Sequence, residues 1–191
     1  MPPLPGTRTE QNLLKAFAGE SQARNRYTYF AEQAAAEGYG RIAEVFLETA
    51  ENELEHARLF FGFLAGGMVE ITASYPAGRV GETAENLAAA AAGEHEEWAD
   101  LYPEFARVAA EEGFQDVARA FKLVAKVEAE HEARYRALLG VVERDEVYTK
   151  PHPVRWQCRV CGYVHEAAKA PARCPVCDAE RDDFAIAAEN W

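Results

Sequence analysis

The first 157 residues contain no cysteine; all four stand between Cys158 and Cys177, as two Cys-x-x-Cys pairs. No disulfide framework can therefore staple the body of the chain, and a reducing, cytoplasmic compartment fits best. Basic residues are also scarce. Twenty Lys and Arg against 32 Asp and Glu leave a formal charge of −12, without the footprint that a nucleic acid or an anionic membrane requires. Long apolar runs are missing too: the longest, Leu59 to Val69, is glycine-broken and too short to span a bilayer. The opening MPPLPGTRTE has no apolar signal core and reads as a disordered lead over residues 1–8.

What the chain does have is paired glutamate and histidine. Glu53-Leu54-Glu55-His56 returns 75 residues later as Glu128-Ala129-Glu130-His131. Residues three apart share a helix face, so each copy presents a carboxylate beside an imidazole. Helical spacing puts Phe46, Ala50, Ala57 and Phe60 around Glu53, and Phe121, Val124, Ala125 and Tyr135 around Glu128. The pairs thus point into a core. Buried ionised carboxylates cost several kcal/mol each unless compensated, and divalent metal ions compensate several at once.

The periodicity predicts four helices over residues 9–144. The first runs from Thr9 to about Glu37, with Leu13, Phe17, Tyr27, Phe30 and Ala34 forming its stripe and Glu20 inside that stripe. The second runs from about Arg41 to Leu64. Ala65 to Gly81 reads as a long crossover, and helices over about Glu82–Glu112 and Phe114–Arg144 repeat the hairpin. Matches at an offset of 74 (Asn12, Gly19 and Glu20 with Asn86, Gly93 and Glu94) become matches at 75 from Tyr27 and Tyr102 onward. One residue is therefore inserted between Glu94 and Tyr102, which predicts a π-bulge that turns Glu97 inward beside Glu94. Recurrent Gly19 and Gly93 suggest close packing beside the site. Tyr27 and Tyr102 recur either as core aromatics or as phenols bonded to the ligand carboxylates.

The bundle then offers Glu20, Glu53 with His56, Glu94 with Glu97, and Glu128 with His131. Oxygen-rich ligation with two imidazoles suits a pair of iron or manganese ions, or a mixed pair, better than zinc or copper. It also matches the ligand arrangement of ferritin-like dinuclear proteins. His95, His152 and His165 are expected in solvent. Residues 145–153 read as a linker, and 154–191 as a small domain with a Trp156, Tyr163, Phe184 and Trp191 core. There Cys158, Cys161, Cys174 and Cys177 form a tetrathiolate site for iron or zinc.

Cys158-Arg-Val-Cys161-Gly162-Tyr163 and Cys174-Pro175-Val-Cys177 look like the two knuckles of a rubredoxin-type iron site; Asp178 stands where such knuckles commonly have glycine. A ferritin-like four-helix bundle with a long crossover, followed by a small rubredoxin-like knuckle domain, resembles rubrerythrin along nearly the whole chain. The resemblance implies a di-iron peroxidase that reduces hydrogen peroxide to water, and a third iron at the cysteines. Glu53 and Glu128 would bridge the iron pair; Glu20, Glu94, Glu97 and His131 would complete the ligands; and iron would exchange Glu97 for His56 on reduction. It further implies a head-to-tail homodimer and an external donor, either a rubredoxin or an NAD(P)H-dependent reductase. The competing readings are a ferroxidase or iron-handling protein of the same fold, and a zinc-ribbon interaction module on a helical scaffold.

Overall fold

The computed structural model describes residues 2–188, so the expected core residue Trp191 lies outside the described residues. Helix α1 spans Arg8–Ala36 and α2 spans Gly40–Gly62. The third helix comes in pieces: α3 over Thr83–Glu96, a π-helical turn over Glu97–Leu101, and α4 over Tyr102–Glu111. Helix α5 is Gln115–Glu143. Gly38 and Gly113, which turn the two hairpins, have φ of 79° and 88°, a region that glycine enters without steric penalty. Between α2 and α3 the crossover runs without helix or strand and binds α1 on its way: Gln11 Nε2 donates to the Glu70 carbonyl at 3.0 Å, and the Tyr75 hydroxyl to the Lys15 carbonyl at 2.8 Å.

The internal repeat is visible in how the helices begin. Glu112 accepts the Thr9 amide at 2.8 Å and the Thr9 hydroxyl at 2.6 Å, while its repeat-mate Glu37 accepts the amide of Thr83, the mate of Thr9, at 3.1 Å. Each hairpin thus satisfies free N–H groups at the start of the other. The core follows the same symmetry. One apolar cluster gathers Phe30, Phe46 and Tyr135, and a second gathers Leu13, Phe60 and Phe121. Along each helix the buried glutamates Glu20, Glu53 and Glu128 fall between members of the two clusters, so a carboxylate layer is sealed at both ends.

Two expected boundaries are corrected. The lead is not free: Thr7 caps α1 by accepting the Glu10 amide, Glu10 accepts the Gly6 amide at 2.7 Å, and Leu4 packs on the second apolar cluster. Leu4 gives the segment an apolar anchor that its polar neighbours hide. The linker is also shorter than residues 145–153, because strand β1 spans Thr149–Cys158 and takes in Pro151, His152 and Pro153. Its pairing with β2, Val164–Lys169, slips between Thr149 and Val154, where the prolines have no N–H to donate. Strand β3, Phe184–Ile186, completes an antiparallel sheet of order β2-β1-β3. His165, expected in solvent, lies half-buried in β2 opposite Trp156.

The small domain sits on the α1–α2 turn. The Tyr148 hydroxyl donates to the Gly38 carbonyl at 2.7 Å, Arg159 pairs with Glu44, and its Nη2 reaches the Asp182 carbonyl at 2.8 Å. A Cβ on Gly40 would lie 2.5 Å from that carbonyl, so glycine is required there by close approach.

Candidate metal centre

Glu53 and His56 from α2 and Glu128 and His131 from α5 converge across the bundle. The His56 Nδ1 lies 3.0 Å from Glu53 Oε2 and 2.9 Å from Glu128 Oε1; the His131 Nδ1 lies 3.2 Å from Glu53 Oε1 and 2.8 Å from Glu128 Oε2. Glu20 of α1 closes the first set at 3.9 Å from His56, and Glu94 of α3 closes the second at 3.9 Å from His131. Two groups result, Glu20-Glu53-His56-Glu128 and Glu53-Glu94-Glu128-His131, each compact enough for one ion. Glu53 and Glu128 belong to both.

The donor atoms fit a cation and little else. Glu20 Oε2 and Glu94 Oε2 are buried without a hydrogen-bond partner among the described residues, and Glu53 Oε1 and both Glu128 oxygens meet only the imidazoles, in contacts short of well-formed hydrogen bonds. Buried acceptors so poorly satisfied are strongly destabilising unless an ion takes them up. Titration carries the same strain. Burial, then neighbouring carboxylates, pushes Glu20, Glu94 and Glu97 well above the ordinary range. Burial would also raise Glu53, but bonds from His131 and His56 outweigh it and bring Glu53 to about 2. Burial opposes charge on the histidines, yet Glu128 and Glu53 push His56 up to about 10 and His131 to about 9.

The tyrosines mirror one another. Tyr27 of α1 donates to Glu94 Oε1 at 2.6 Å, and Tyr102 of α4 makes a short bond to Glu20 Oε1. Glu97 behaves differently from its expectation. The π-turn falls inside the interval where the repeat shifts register, but Glu97 belongs to neither ligand group. It lies against α1, where a Cβ on Gly19, the residue before Glu20, would come within 3.7 Å of its Oε1. It lines a cavity of about 280 Å³ with Lys15, Gly19, Arg26, Tyr75 and Tyr102. The glycines open this space and do not serve close packing: a Cβ on Gly19 would meet Glu97 Oε1 at 3.7 Å, and one on Gly93 would meet Arg26 Nη2 at 3.6 Å, both ordinary contacts.

Sequence spacing did not reveal Tyr75, whose crossover segment forms one wall, or Glu132, which accepts from His95 and Trp98. The repeat could not have found either, since neither has a matching mate. His95, expected in solvent, is half exposed but bonded to Glu132 at 3.0 Å. In the small domain Cys158 and Cys177 sulfurs are 3.7 Å apart and those of Cys161 and Cys174 3.6 Å. A tetrahedron with sulfurs about 2.3 Å from its centre has edges of about 3.8 Å, so the four thiols fit one ion. The knuckles are equivalent: the Gly162 amide donates to the Cys158 carbonyl at 2.8 Å and the Asp178 amide to the Cys174 carbonyl at 2.9 Å. Asp178 takes the glycine conformation at φ 60°.

The rubrerythrin family model matches residues 11–139, and that of the rubrerythrin rubredoxin-like domain matches residues 156–185. The chain belongs to the rubrerythrin family. A rubrerythrin of Porphyromonas gingivalis is 63% identical over 90% of this chain and 86% of its own length. Rubrerythrin of Nitratidesulfovibrio vulgaris is 47% identical over the full length of both. Among solved structures, fully reduced, all-ferrous nigerythrin superposes with a TM-score of 0.64 at 30% identity, over 96% of this chain and 91% of that one. A Desulfovibrio desulfuricans bacterioferritin shares the bundle fold with a TM-score of 0.62 at 22% identity, over 73% of this chain and 82% of its own. As in rubrerythrins, two irons suit the bundle and one the cysteine site, which makes the protein an iron-based oxidoreductase of oxidative-stress defence. Among the described residues, no helix is long and apolar enough to cross a membrane.

Proposed function

We propose that this rubrerythrin is a cytoplasmic peroxidase that reduces hydrogen peroxide to two waters, taking up two electrons and two protons. The observation that carries the reading is the pair of overlapping Glu/His groups sharing Glu53 and Glu128, with Glu97 packed against Gly19 of α1 but outside both groups. Glu53 and Glu128 would bridge; Glu20 with His56, and Glu94 with His131, would hold one ion each; and Glu97 would replace His56 in the oxidised state. Iron bound at these sites would supply the redox chemistry: the pair in the bundle could provide the two electrons the reaction needs, and the cysteine site could pass electrons one at a time. The side chains manage charge and protons. Burial pushes the Glu97 carboxyl upward in the cavity wall, which suits it to carry a proton and deliver it when drawn toward the site. Tyr27 and Tyr102 fix the free oxygens of Glu94 and Glu20, so that the carboxylates stay aimed while Glu97 and His56 exchange.

The small domain is docked near Glu44, nine residues before Glu53, hence about 13 Å along α2 from its own site before further separation is counted. A head-to-tail homodimer would bring the partner's cysteine site closer. The exposed α2 stripe of Leu47 and Phe61, with half-buried Leu54 at the same seven-residue spacing, supports such an interface. The external donor would be a rubredoxin or an NAD(P)H-dependent reductase. The test is anaerobic stopped flow on stoichiometrically reduced, iron-loaded protein. Addition of peroxide should restore the ferric tetrathiolate colour rapidly, and Cys158→Ser should abolish that colour. A cysteine site that stays reduced while the bundle oxidises would instead favour an iron-handling ferroxidase.

A further inference from the structure

Glu132 follows His131 on α5 and so points about 100° away from it around the helix, onto the third helix. Its side chain is only 11% exposed and collects three donors. Oε2 accepts His95 Nδ1 at 3.0 Å and makes a short bond with Trp98 Nε1, while Oε1 accepts Arg136 Nε at 2.5 Å. The His95 and Trp98 rings meet edge-on at 5.1 Å. An ionised carboxylate only accepts, so all three bonds run toward Glu132 and are charge-assisted.

The placement of these donors is informative. His95 follows Glu94, and Trp98 follows Glu97 as the second residue of the π-turn. Consecutive helical residues point about 100° apart, so pinning Trp98 on the α5 side directs Glu97 to the cavity wall. A π-turn is disfavoured against regular helix and persists only where other contacts hold it. The internal repeat supplies a control: the mate of Glu132 is Ala57 and that of His95 is Ser21, and α1 is an unbroken helix with no counterpart of Glu97. The cluster occurs in the half of the repeat that has the π-turn, and its parts are absent from the half that lacks it.

We propose that Glu132 is a positioning residue for Glu97: by tying His95 and Trp98 to α5 it holds the π-turn in the register that rests Glu97 against the cavity, within reach of the site. The consequence for exchange with His56 rests on the peroxidase reading above; the hold on the π-turn does not. Glu132→Gln keeps the shape and loses the charge, and Trp98→Phe removes one donor while leaving the carboxylate, so one variant stands if the other misfolds.

The experiment has two parts, both on the full chain. In the metal-free protein, hydrogen exchange at amides 97–101 should quicken about tenfold in Glu132→Gln and less in Trp98→Phe, with amides around Tyr27 unchanged. In the iron-loaded protein, the reduction potential of the bundle irons should shift in Glu132→Gln while that of the cysteine site stays fixed, and the shift should vanish in a Glu97→Ala background. Unchanged exchange would overturn the pin, whatever the reaction. Faster exchange with a potential shift that persists without Glu97 would overturn its action through Glu97. Failure of the peroxide experiment alone would sink the peroxidase reading and leave both measurements interpretable.

Discussion

Loading the bundle with metal must expel protons, and their number can be worked from the site. At pH 7 His56 at about 10 and His131 at about 9 are both charged in the metal-free protein, and an imidazolium has no lone pair to give. At roughly 1.4 kcal/mol per pH unit, emptying them at pH 7 costs about 4 kcal/mol for His56 and about 3 kcal/mol for His131. Two protons per ion pair are therefore the minimum, and the upward push on Glu20 and Glu94, chiefly from burial, acts in the same direction. Affinity for the pair should rise about a hundredfold per pH unit or more between pH 6 and 8. The assay is calorimetry with manganese(II), zinc already in the cysteine site, in buffers of different ionisation enthalpy; the dependence of heat on that enthalpy counts the protons. Release of fewer than one proton per pair at pH 7 would refute the reasoning. Stability of the metal-free bundle should move the other way. The raised histidines stabilise it fully below about 6.5 and lose that contribution as pH climbs through about 9 and 10, and the raised carboxyls act with the same sign above about 4.5.

Other changes probe the frame around the site. Gly40→Ala should loosen the small domain, because the new methyl overlaps the Asp182 carbonyl and Arg159. Better helix propensity, about 1 kcal/mol, should leave the bundle itself no less stable. Proteolysis at residues 144–149 should quicken while bundle melting does not fall; an unchanged cleavage rate would count against the docking. Tyr27→Phe and Tyr102→Phe should each cost about 1–3 kcal/mol in thermal unfolding, since each leaves a buried carboxylate oxygen bare. Asp178→Gly should slow metal loss from the cysteine site to a chelator, by relieving about 1 kcal/mol of left-handed strain at φ 60°. The Arg173 pair that it removes is largely exposed and contributes little.

Much of the site was legible because helical periodicity and metal ligation use the same spacing. Glu53 with His56 and Glu128 with His131 declared themselves by falling on stripes that should have been apolar. The register slip between Glu94 and Tyr102 located the π-turn without any structural knowledge. The partners of the tyrosines were harder. Tyr27 and Tyr102 bond to glutamates 67 and 82 residues away, and only tertiary packing decides whether a phenol at that height meets a carboxylate. Glu132 was invisible for a related reason: beside the ligand His131 it reads as an ordinary outward-facing acid, and its donors come from another helix. The small domain misled at its edge because Pro151 and Pro153 look like linker, although an irregular strand tolerates both.

The repeat also explains why the site is asymmetric in the right place. Cross-capping by Glu37 and Glu112 and the two tyrosine–glutamate bonds hold the halves in a near-twofold frame, which by itself would give two identical ion positions. Inserting one residue in the third helix leaves the frame intact, since Tyr102 still reaches Glu20, yet adds Glu97 against Gly19 on the α1 side, outside both groups. Symmetry also accounts for the shared members, since Glu53 and Glu128, one from each half, belong to both groups. On the proposed reading an exchangeable ligand belongs to one ion alone, and a single insertion in one half of the repeat offers Glu97 for that role without disturbing the frame.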